Sequence, residues 1–168
     1  MDVLWAPWRM ELIAAEKPKG CIFCELPAQV GADADRRNLV LGRSARSFVI
    51  FNKYPYSNCH LMVVPRRHTA DFDALSAEES ADLHGLMQRS VRILKQALRP
   101  DGMNLGMNLG RPAGAGIDDH LHYHVVPRWS GDTNFMPVVS QTKVIIEHLA
   151  KSYETLRPLF DRELGQAA

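Results

Sequence analysis

The stretch His120-Leu121-His122-Tyr123-His124 decides how the rest of this sequence is interpreted. Histidine and other residues alternate with a period of two, which is the side-chain period of a β-strand. The three imidazoles are therefore predicted to share one face of a strand, each roughly 6.6 Å from the next. Because the unperturbed pKa of histidine lies near neutral pH, such a face predicts either a metal site or a site for nucleophilic and proton-transfer chemistry.

A glycine-rich segment at 107–116 leads into the histidine strand. Glycines permit tight turns that bring backbone N–H groups close to a ligand, and N–H groups exposed in a turn bind anions. Next to a face of histidines, this turn favours a phosphate-binding loop beside a nucleophile. A catalytic zinc ion held by the three histidines is the alternative. It would need a carboxylate as general base from a neighbouring strand, whereas only Asp118 and Asp119 lie close, at the entrance of the histidine strand.

Composition limits the class of protein. The 168 residues fit one domain, 1–168, with an N-terminal segment at 1–30 and a C-terminal helical tail at 140–168. A formal net charge of +1 gives no reason to expect nucleic acid or a membrane as partner. Three cysteines without a signal peptide argue against a disulfide framework, so we expect a cytoplasmic protein. No organic cofactor is expected.

Periodicity predicts an α+β fold. Ser76 and Glu79 form a capping box, and apolar residues at helical spacing continue from there to Leu98. A second helix is predicted within 142–160, and residues 1–30 are expected to be irregular. Strands joined by short turns around one long helix indicate an antiparallel sheet. The predicted strands are 39–41, 48–52, 60–64, 104–109 and 120–127.

These motifs resemble the histidine triad family of nucleotide hydrolases and transferases, whose signature is three alternating histidines followed by further apolar residues. The likeness covers about 21–137 and is closest to the branch of fragile-histidine-triad hydrolases and bacterial diadenosine tetraphosphate phosphorylases. Asn52, His60 and the segment 128–135 support it. The resemblance implies a HIT-like fold with a five-stranded antiparallel sheet, one long helix and a C-terminal helix. It also implies a homodimer in which two sheets join.

The resemblance implies a division of labour among the histidines. His122 is expected to attack the α-phosphorus and to form a nucleotidyl-histidine intermediate, which divides one difficult displacement into two easier ones. His124 is expected to neutralise charge near the leaving group, and His60 to support the triad from the neighbouring strand. Asn108 is expected to contact the phosphate and the leaving group. The catalytic set is therefore His122, His124, His60 and Asn108.

A nucleotide site is implied around these residues. Asn52 matches a residue that binds ribose hydroxyls, and the base cleft would use tryptophan and leucine residues near the N-terminus. The phosphate would contact backbone N–H groups near Gly114, Ala115 and Gly116, together with Asn108, His122 and His124. Relatives often carry serine or threonine where this chain has Gly116, and glycine where it has Cys59.

The expected substrate is a diadenosine tri- or tetraphosphate. Resolution of the intermediate by inorganic phosphate would make the protein a phosphorylase, and resolution by water would make it a hydrolase. Two alternatives stay open: a nucleoside 5'-phosphoramidate hydrolase, and a non-catalytic sensor that binds purine nucleotides.

Two cysteines predict a second site. Cys21-x-x-Cys24 has the spacing of half a structural zinc site, which needs two further ligands. Zinc-bearing triad proteins imply that these are His68 and His120. A closed set of four ligands leaves no open position for catalysis, so we expect this zinc to be structural.

Overall fold

Five strands form one antiparallel sheet in the order β1-β2-β3-β5-β4. The structure, a computed structural model, describes residues 20–132, 145 and 147–165. Every neighbouring pair of strands is antiparallel, which confirms the predicted sheet. The strands are β1 (Val40–Arg43), β2 (Ser47–Phe51), β3 (Leu61–Pro65), β4 (Gly102–Met107) and β5 (Tyr123–Arg128).

Four α-helices and one short 3-10 helix surround this sheet in the described part of the chain. The predicted capping box opens the longest helix: the Glu79 N–H donates to the Ser76 hydroxyl at 3.2 Å, and the Ser76 N–H donates to the Glu79 carboxylate at 2.8 Å. The helices are α1 (Ile22–Ala28), α2 (Ala32–Asn38), α3 (Ala77–Leu98), the 3-10 turn Arg111–Ala113 and α4 (Leu149–Gly165). None of the helices in the described ranges has the length and apolar character needed to cross a membrane.

One prediction about helices is wrong, and the boundaries of another differ from those observed. Residues 22–28 form α1 instead of an irregular segment, although α1 is short and contains Pro27. Burial of Phe23, which is 1% exposed, stabilises this helix. The sequence of α1 has no apolar repeat from which a helix could be predicted. The C-terminal helix begins at Leu149, seven residues later than the predicted start at 142, and continues to Gly165.

Both faces of the sheet are buried, because side chains alternate along each strand. On one face, α3 and α4 cover a cluster that includes Phe51, Val63 and Val125. On the other face, Phe23 of α1 packs with neighbours such as Met62 in a second cluster. Strands buried on both faces read as continuous apolar runs, as β2 and β3 do.

The histidine strand is shorter than predicted. β5 begins at Tyr123, so His120 and His122 lie in the segment before it and His124 lies within it. Pairing with β3 stops at Tyr123, and the Leu121 N–H donates instead to a loop carbonyl at 2.8 Å. The imidazoles are nevertheless neighbours, since the ring centroids of His122 and His124 lie 5.0 Å apart.

Candidate active site and metal centre

Four histidines are buried at the ends of β3 and β5. His60, His120, His122 and His124 are between 0% and 9% exposed. The ring centroids of His60 and His124 lie 5.0 Å apart, as do those of His122 and His124. A row of solvated surface histidines is therefore excluded, and each buried ring nitrogen needs a hydrogen-bond partner or a ligand.

The tautomer of His122 follows from one hydrogen bond. Its Nδ1 lies 2.9 Å from the backbone carbonyl oxygen of His120. A carbonyl only accepts, so Nδ1 carries the proton and Nε2 keeps its lone pair. Burial lowers the pKa of His122, and the bond to His120 opposes that effect without cancelling it. His122 is therefore a neutral imidazole with a nucleophilic Nε2.

Hydrogen bonds relayed through His60 set the tautomer of His124. The Tyr56 N–H donates to Nδ1 of His60 at 3.0 Å, and the Asn52 amide nitrogen lies 3.3 Å from the same atom. Nδ1 of His60 therefore accepts, and its Nε2–H donates to Nδ1 of His124 at 2.9 Å. His124 must then carry its own proton on Nε2, where it can be donated to a ligand.

Both members of this pair are neutral near pH 7. Burial, together with the nearby His124 and His122, lowers the pKa of His60 to about 3. Burial and the nearby His122 lower the pKa of His124 to about 4. The neutral His124 ring can donate one hydrogen bond through Nε2–H, and its doubly protonated, cationic form is rare at physiological pH.

The glycine loop is only partly as expected. The N–H groups of Gly114 and Ala115 donate within the loop, to the carbonyls of Arg111 at 2.9 Å and Gly110 at 3.3 Å. In this conformation these two donors are occupied, in contrast to the predicted open cradle. The Asn108 amide nitrogen would lie 3.5 Å from a Cβ built on Gly114, so Asn108 lies beside the loop. Its contact with phosphate stays a prediction.

Asn52 is also engaged inside the protein. Besides the contact of its amide nitrogen with His60, its Oδ1 accepts from the Tyr54 N–H at 2.9 Å. The side chain is half-buried. The sequence predicted a contact of Asn52 with ribose, which stays a prediction, but not the contact of Asn52 with His60.

The predicted metal ligands form one cluster. The ligand atoms of Cys21, Cys24, His68 and His120 all lie within 4.8 Å of one another. Nδ1 of His120 is 3.3 Å from the Cys21 sulfur, 3.6 Å from the Cys24 sulfur and 3.3 Å from Nδ1 of His68. Tetrahedral zinc, with bonds of about 2.3 Å to sulfur and about 2.0 Å to nitrogen, requires separations of about 3.3 to 3.8 Å. The donor set and its spacing therefore fit zinc.

Outer contacts orient the two histidine ligands. Nε2 of His120 lies 2.8 Å from the Pro65 carbonyl oxygen and therefore carries the proton, which leaves the Nδ1 lone pair for a metal. Nε2 of His68 lies 4.0 Å from an Asp119 carboxylate oxygen. Burial and the neighbouring Cys21 raise the pKa of Cys24 to about 11 in the absence of a cation. A bound cation would favour the thiolate.

This arrangement excludes one alternative raised by the sequence. That alternative is a catalytic zinc ion held by His120, His122 and His124. Nδ1 of His120 instead lies 3.3 Å from the Cys21 sulfur, while Nδ1 of His124 accepts a hydrogen bond from His60. Within the described ranges, the cysteine–histidine cluster is the group of potential ligands that comes together, and a site built from the three alternating histidines does not form.

Sequence reasoning missed two residues of the site. The ring centroid of Phe23 lies 5.0 Å from that of His122, and that of Tyr56 lies 5.5 Å from that of His124. An aromatic residue enclosed between Cys21 and Cys24 was the available signal for the first. The N-terminal tryptophans and leucines predicted for the base cleft, and the end of the segment 128–135, lie outside the described residues.

Comparison with known proteins agrees with this geometry. The family model described as the HIT domain matches residues 34–131, more than half of the chain. The protein is a member of the histidine triad family. This confirms the resemblance drawn from the histidine motif.

Relatives include an enzyme of the predicted branch. The AP-4-A phosphorylase of Mycobacterium tuberculosis is 37% identical over 169 residues, which span 95% of this chain and 85% of that protein. Adenosine 5'-monophosphoramidase hnt1 of Schizosaccharomyces pombe is 31% identical over 64% of this chain and 74% of its own length. The predicted branch and the expectation of an enzyme are thereby confirmed.

A solved structure resembles the whole fold of this triad protein. A zinc-bound histidine triad family protein from Mycobacterium smegmatis has a TM-score of 0.65 and 25% sequence identity, covering 88% of this chain and 97% of its own. The fold class predicted from the sequence is thereby confirmed.

Proposed function

We propose that this triad protein cleaves diadenosine tri- or tetraphosphate at the α-phosphate through a covalent nucleotidyl-His122 intermediate. The observation that carries the proposal is the hydrogen bond from Nδ1–H of His122 to the His120 carbonyl. It fixes the buried, neutral ring with Nε2 as its nucleophilic atom. The likeness to an AP-4-A phosphorylase supports the same substrate class.

In the first step, Nε2 of His122 attacks the α-phosphorus, and the bond from that phosphorus to the bridging oxygen breaks. With diadenosine tetraphosphate, AMP becomes attached to His122 and ATP leaves with the electron pair. Nε2–H of His124 can donate a hydrogen bond to the bridging oxygen as charge develops there. Phosphoryl transfer asks a protein mainly for such positioning and charge stabilisation.

In the second step, an oxygen of inorganic phosphate or of water attacks the α-phosphorus, and the bond to Nε2 breaks. Phosphate gives ADP, and water gives AMP. The likeness to a phosphorylase favours phosphate. Gly116 has no serine or threonine hydroxyl, and a Cβ built there meets no atom within 4 Å, which leaves room for an acceptor larger than water.

The protonation state of His124 favours anhydrides over phosphoramidates. A polyphosphate leaves as a stable anion without a proton, whereas an amine leaving group must be protonated. Because burial holds the pKa of His124 at about 4, a protonated acid is scarce at neutral pH. Phosphoramidate cleavage, the activity named for the fission-yeast relative, is therefore the second candidate.

We propose further nucleotide contacts near His122. Asn108 and the loop of Gly114, Ala115 and Gly116 would contact the phosphates, with rearrangement of the internal loop bonds or through the Gly116 N–H. Asn52 would accept from the ribose. The nearest apolar surface for the base includes the half-buried Ile22, Leu26 and Ile117.

We also propose that the cysteine–histidine cluster holds one structural zinc ion. Nδ1 of His120 lies 3.3 to 3.6 Å from the ligand atoms of the other three residues, close to the spacing of a tetrahedral zinc site, and the similar structure from Mycobacterium smegmatis is zinc-bound. Metal analysis of protein purified without chelator should give about one equivalent. Less than about half an equivalent would contradict the site.

We propose a homodimer that is joined along β4. In the described part of the chain β4 is an edge strand, and Leu105 and the nearby Leu109 are 49% and 52% exposed. Joining two such edges would pair backbone groups of the two strands and cover both leucines. Light scattering should give twice the 18.9 kDa of one chain. We place this single-domain enzyme in the cytoplasm.

Product analysis tests the reaction. Incubation with diadenosine tetraphosphate should give ADP and ATP when phosphate is present, whereas AMP and ATP would indicate a hydrolase. Tight binding without products would favour the sensor. His122→Asn should abolish turnover and retain nucleotide binding. His84→Asn, at an exposed position on α3, is the matched control and should keep full activity. Turnover by His122→Asn would refute the mechanism.

A further inference from the structure

The aromatic ring of Phe23 touches both functional centres of the molecule. Its centroid lies 5.5 Å from that of the metal-cluster residue His120, at an interplanar angle of 73°. It lies 5.0 Å from that of His122, at 45°. Both arrangements fall within the range in which aromatic rings attract one another. Phe23 is 1% exposed and belongs to the buried cluster beneath α1.

The position of Phe23 depends on α1, a helix that has little stability of its own. It contains seven residues and Pro27, and its N-cap residue, Cys21, makes no side-chain capping bond. Isolated helices of this length are marginal in water. Cys21 and Cys24 flank Phe23 in the sequence, and their sulfur atoms lie within 4.8 Å of the ligand atoms of His68 and His120. A metal ion bound by these four residues would fix this end of the helix.

His122 needs a support of this kind. The hydrogen bond to the His120 carbonyl restrains one atom of the imidazole, and the contacts with the His124 and Phe23 rings restrain its plane. In-line attack requires Nε2 at the correct place and angle. A displacement of about 1 Å can reduce a rate by roughly a hundredfold.

We propose that Phe23 is a positioning residue for the nucleophile His122, and that the cysteine–histidine cluster holds it in place. The inference rests on the proposed role of His122. A metal bound at the cluster would influence the reaction through packing, because α1 and its N-cap residue carry two of the cluster's ligands together with the supporting ring. Phe23 itself touches no reacting atom.

Phe23→Leu tests this against a matched control. Phe48 is 0% exposed, lies in the same cluster with its centroid 6.4 Å from that of Phe23, and Phe48→Leu removes a comparable buried ring. Phe23→Leu should lower kcat about tenfold to a hundredfold, with KM within threefold of wild type and zinc content unchanged. Phe48→Leu should keep kcat within threefold. Equal kcat losses in the two variants, at similar unfolding midpoints, would overturn the proposal.

Nitrogen NMR of the imidazoles gives a readout that does not depend on turnover. Wild-type His122 should show a single tautomer protonated at Nδ1, and Phe23→Leu should show mixed or broadened signals. Phe48→Leu should retain the wild-type signals. Unchanged His122 signals in Phe23→Leu would overturn the proposal. If the wild type lacks turnover, the proposed function fails, whereas these spectra still decide the role of Phe23.

Metal removal tests the connection to the cluster. A chelator should disturb the His122 signals in the wild type and add little in Phe23→Leu, because both changes release the same support. An equal additional effect of the chelator in both proteins would mean that the metal acts on His122 by another route. That outcome would overturn the connection.

Discussion

The strongest test of what holds this structure together is Asp35→Asn. Asp35 of α2 is 4% exposed and accepts from Arg43 at 2.6 Å and from Arg157 of α4 at 2.9 Å. Arg157 also donates to the Val40 carbonyl, so one carboxylate joins two helices to β1. An asparagine of the same shape removes the counter-charge that Arg43 and Arg157 share, and Arg157 keeps its ion pair with the exposed Asp161 at 2.8 Å.

The magnitude follows from the burial of these groups. Removing one member of a fully buried ion pair costs about 3–5 kcal/mol. The side chains of Arg43 and Arg157 are 18% and 25% exposed, so water will solvate them in part. Asparagine also retains one acceptor. We therefore expect a loss of about 2–3 kcal/mol in the free energy of unfolding, or roughly 5–10 °C in Tm for a chain of this size.

A second ion pair between the same helices provides the control. Arg36 of α2 donates to Glu154 of α4 at 2.6 Å, but these side chains are 60% and 45% exposed. Exposed pairs contribute about 0–1 kcal/mol, so Glu154→Gln should change stability by less than about 1 kcal/mol. Urea unfolding of the three proteins at pH 7 measures the difference. Equal losses from Asp35→Asn and Glu154→Gln would refute the reasoning.

The pH dependence supplies an independent check on Asp35. Burial acts to raise its pKa, but the hydrogen bonds from Arg43 and Arg157 outweigh burial, and the net pKa lies below 3.8. A depressed carboxyl pKa contributes stability that is complete above the unfolded value and is lost as the pH falls through the folded value. The stability gap between wild type and Asp35→Asn should therefore stay constant from pH 7 to about 5, and narrow below about 4.

Three further predictions concern the site. The pKa values of about 3 for His60 and about 4 for His124 lie below the unfolded value of 6.5, so the unfolded chain binds these protons first. The contribution of this pair to stability is therefore complete above pH 6.5, and the free energy of unfolding should fall by about 2 kcal/mol between pH 7 and pH 5.5. Urea unfolding measures this change, and a free energy that does not vary with pH would contradict a neutral His60–His124 pair. A Cβ built on Gly116 meets no atom within 4 Å, so Gly116→Ser should alter the free energy of unfolding by less than about 0.5 kcal/mol. The added hydroxyl would occupy space for the phosphate acceptor, so the products should shift from ADP towards AMP. An unchanged ratio of ADP to AMP on chromatography would refute that reason. Chelation should lower the unfolding midpoint of the wild type by several degrees, whereas Cys24→Ser should respond little, and equal shifts in both proteins would exclude a structural ion at this cluster.

The sequence predicted the strands well because each is a short apolar or alternating segment bounded by turn residues, although β3 pairs with β5 far along the chain. It missed α1, since a seven-residue helix shows no apolar repeat and depends on contacts made far along the chain, chiefly those of Phe23. Cys59, which stands where relatives often carry glycine, is predicted to pack as a small buried hydrophobe, but its backbone conformation could not be predicted. In the structure its φ is +54°, a left-handed conformation that glycine adopts more easily, and its side chain is buried.

The spacing of the histidines in the sequence predicted that they form a site, but it could not predict which ring nitrogen of each histidine carries the proton. Each proton position is set by a backbone group that a sequence motif does not display. The Pro65 carbonyl aims the Nδ1 lone pair of His120 at the metal cluster, and the His120 carbonyl leaves Nε2 of His122 free. The Tyr56 N–H acts through His60 to place a proton on the far side of His124. Three imidazoles that are equivalent in the sequence thus differ in which nitrogen carries the proton, because the backbone around each one accepts or donates differently. That difference supports the proposed roles of ligand, nucleophile and donor.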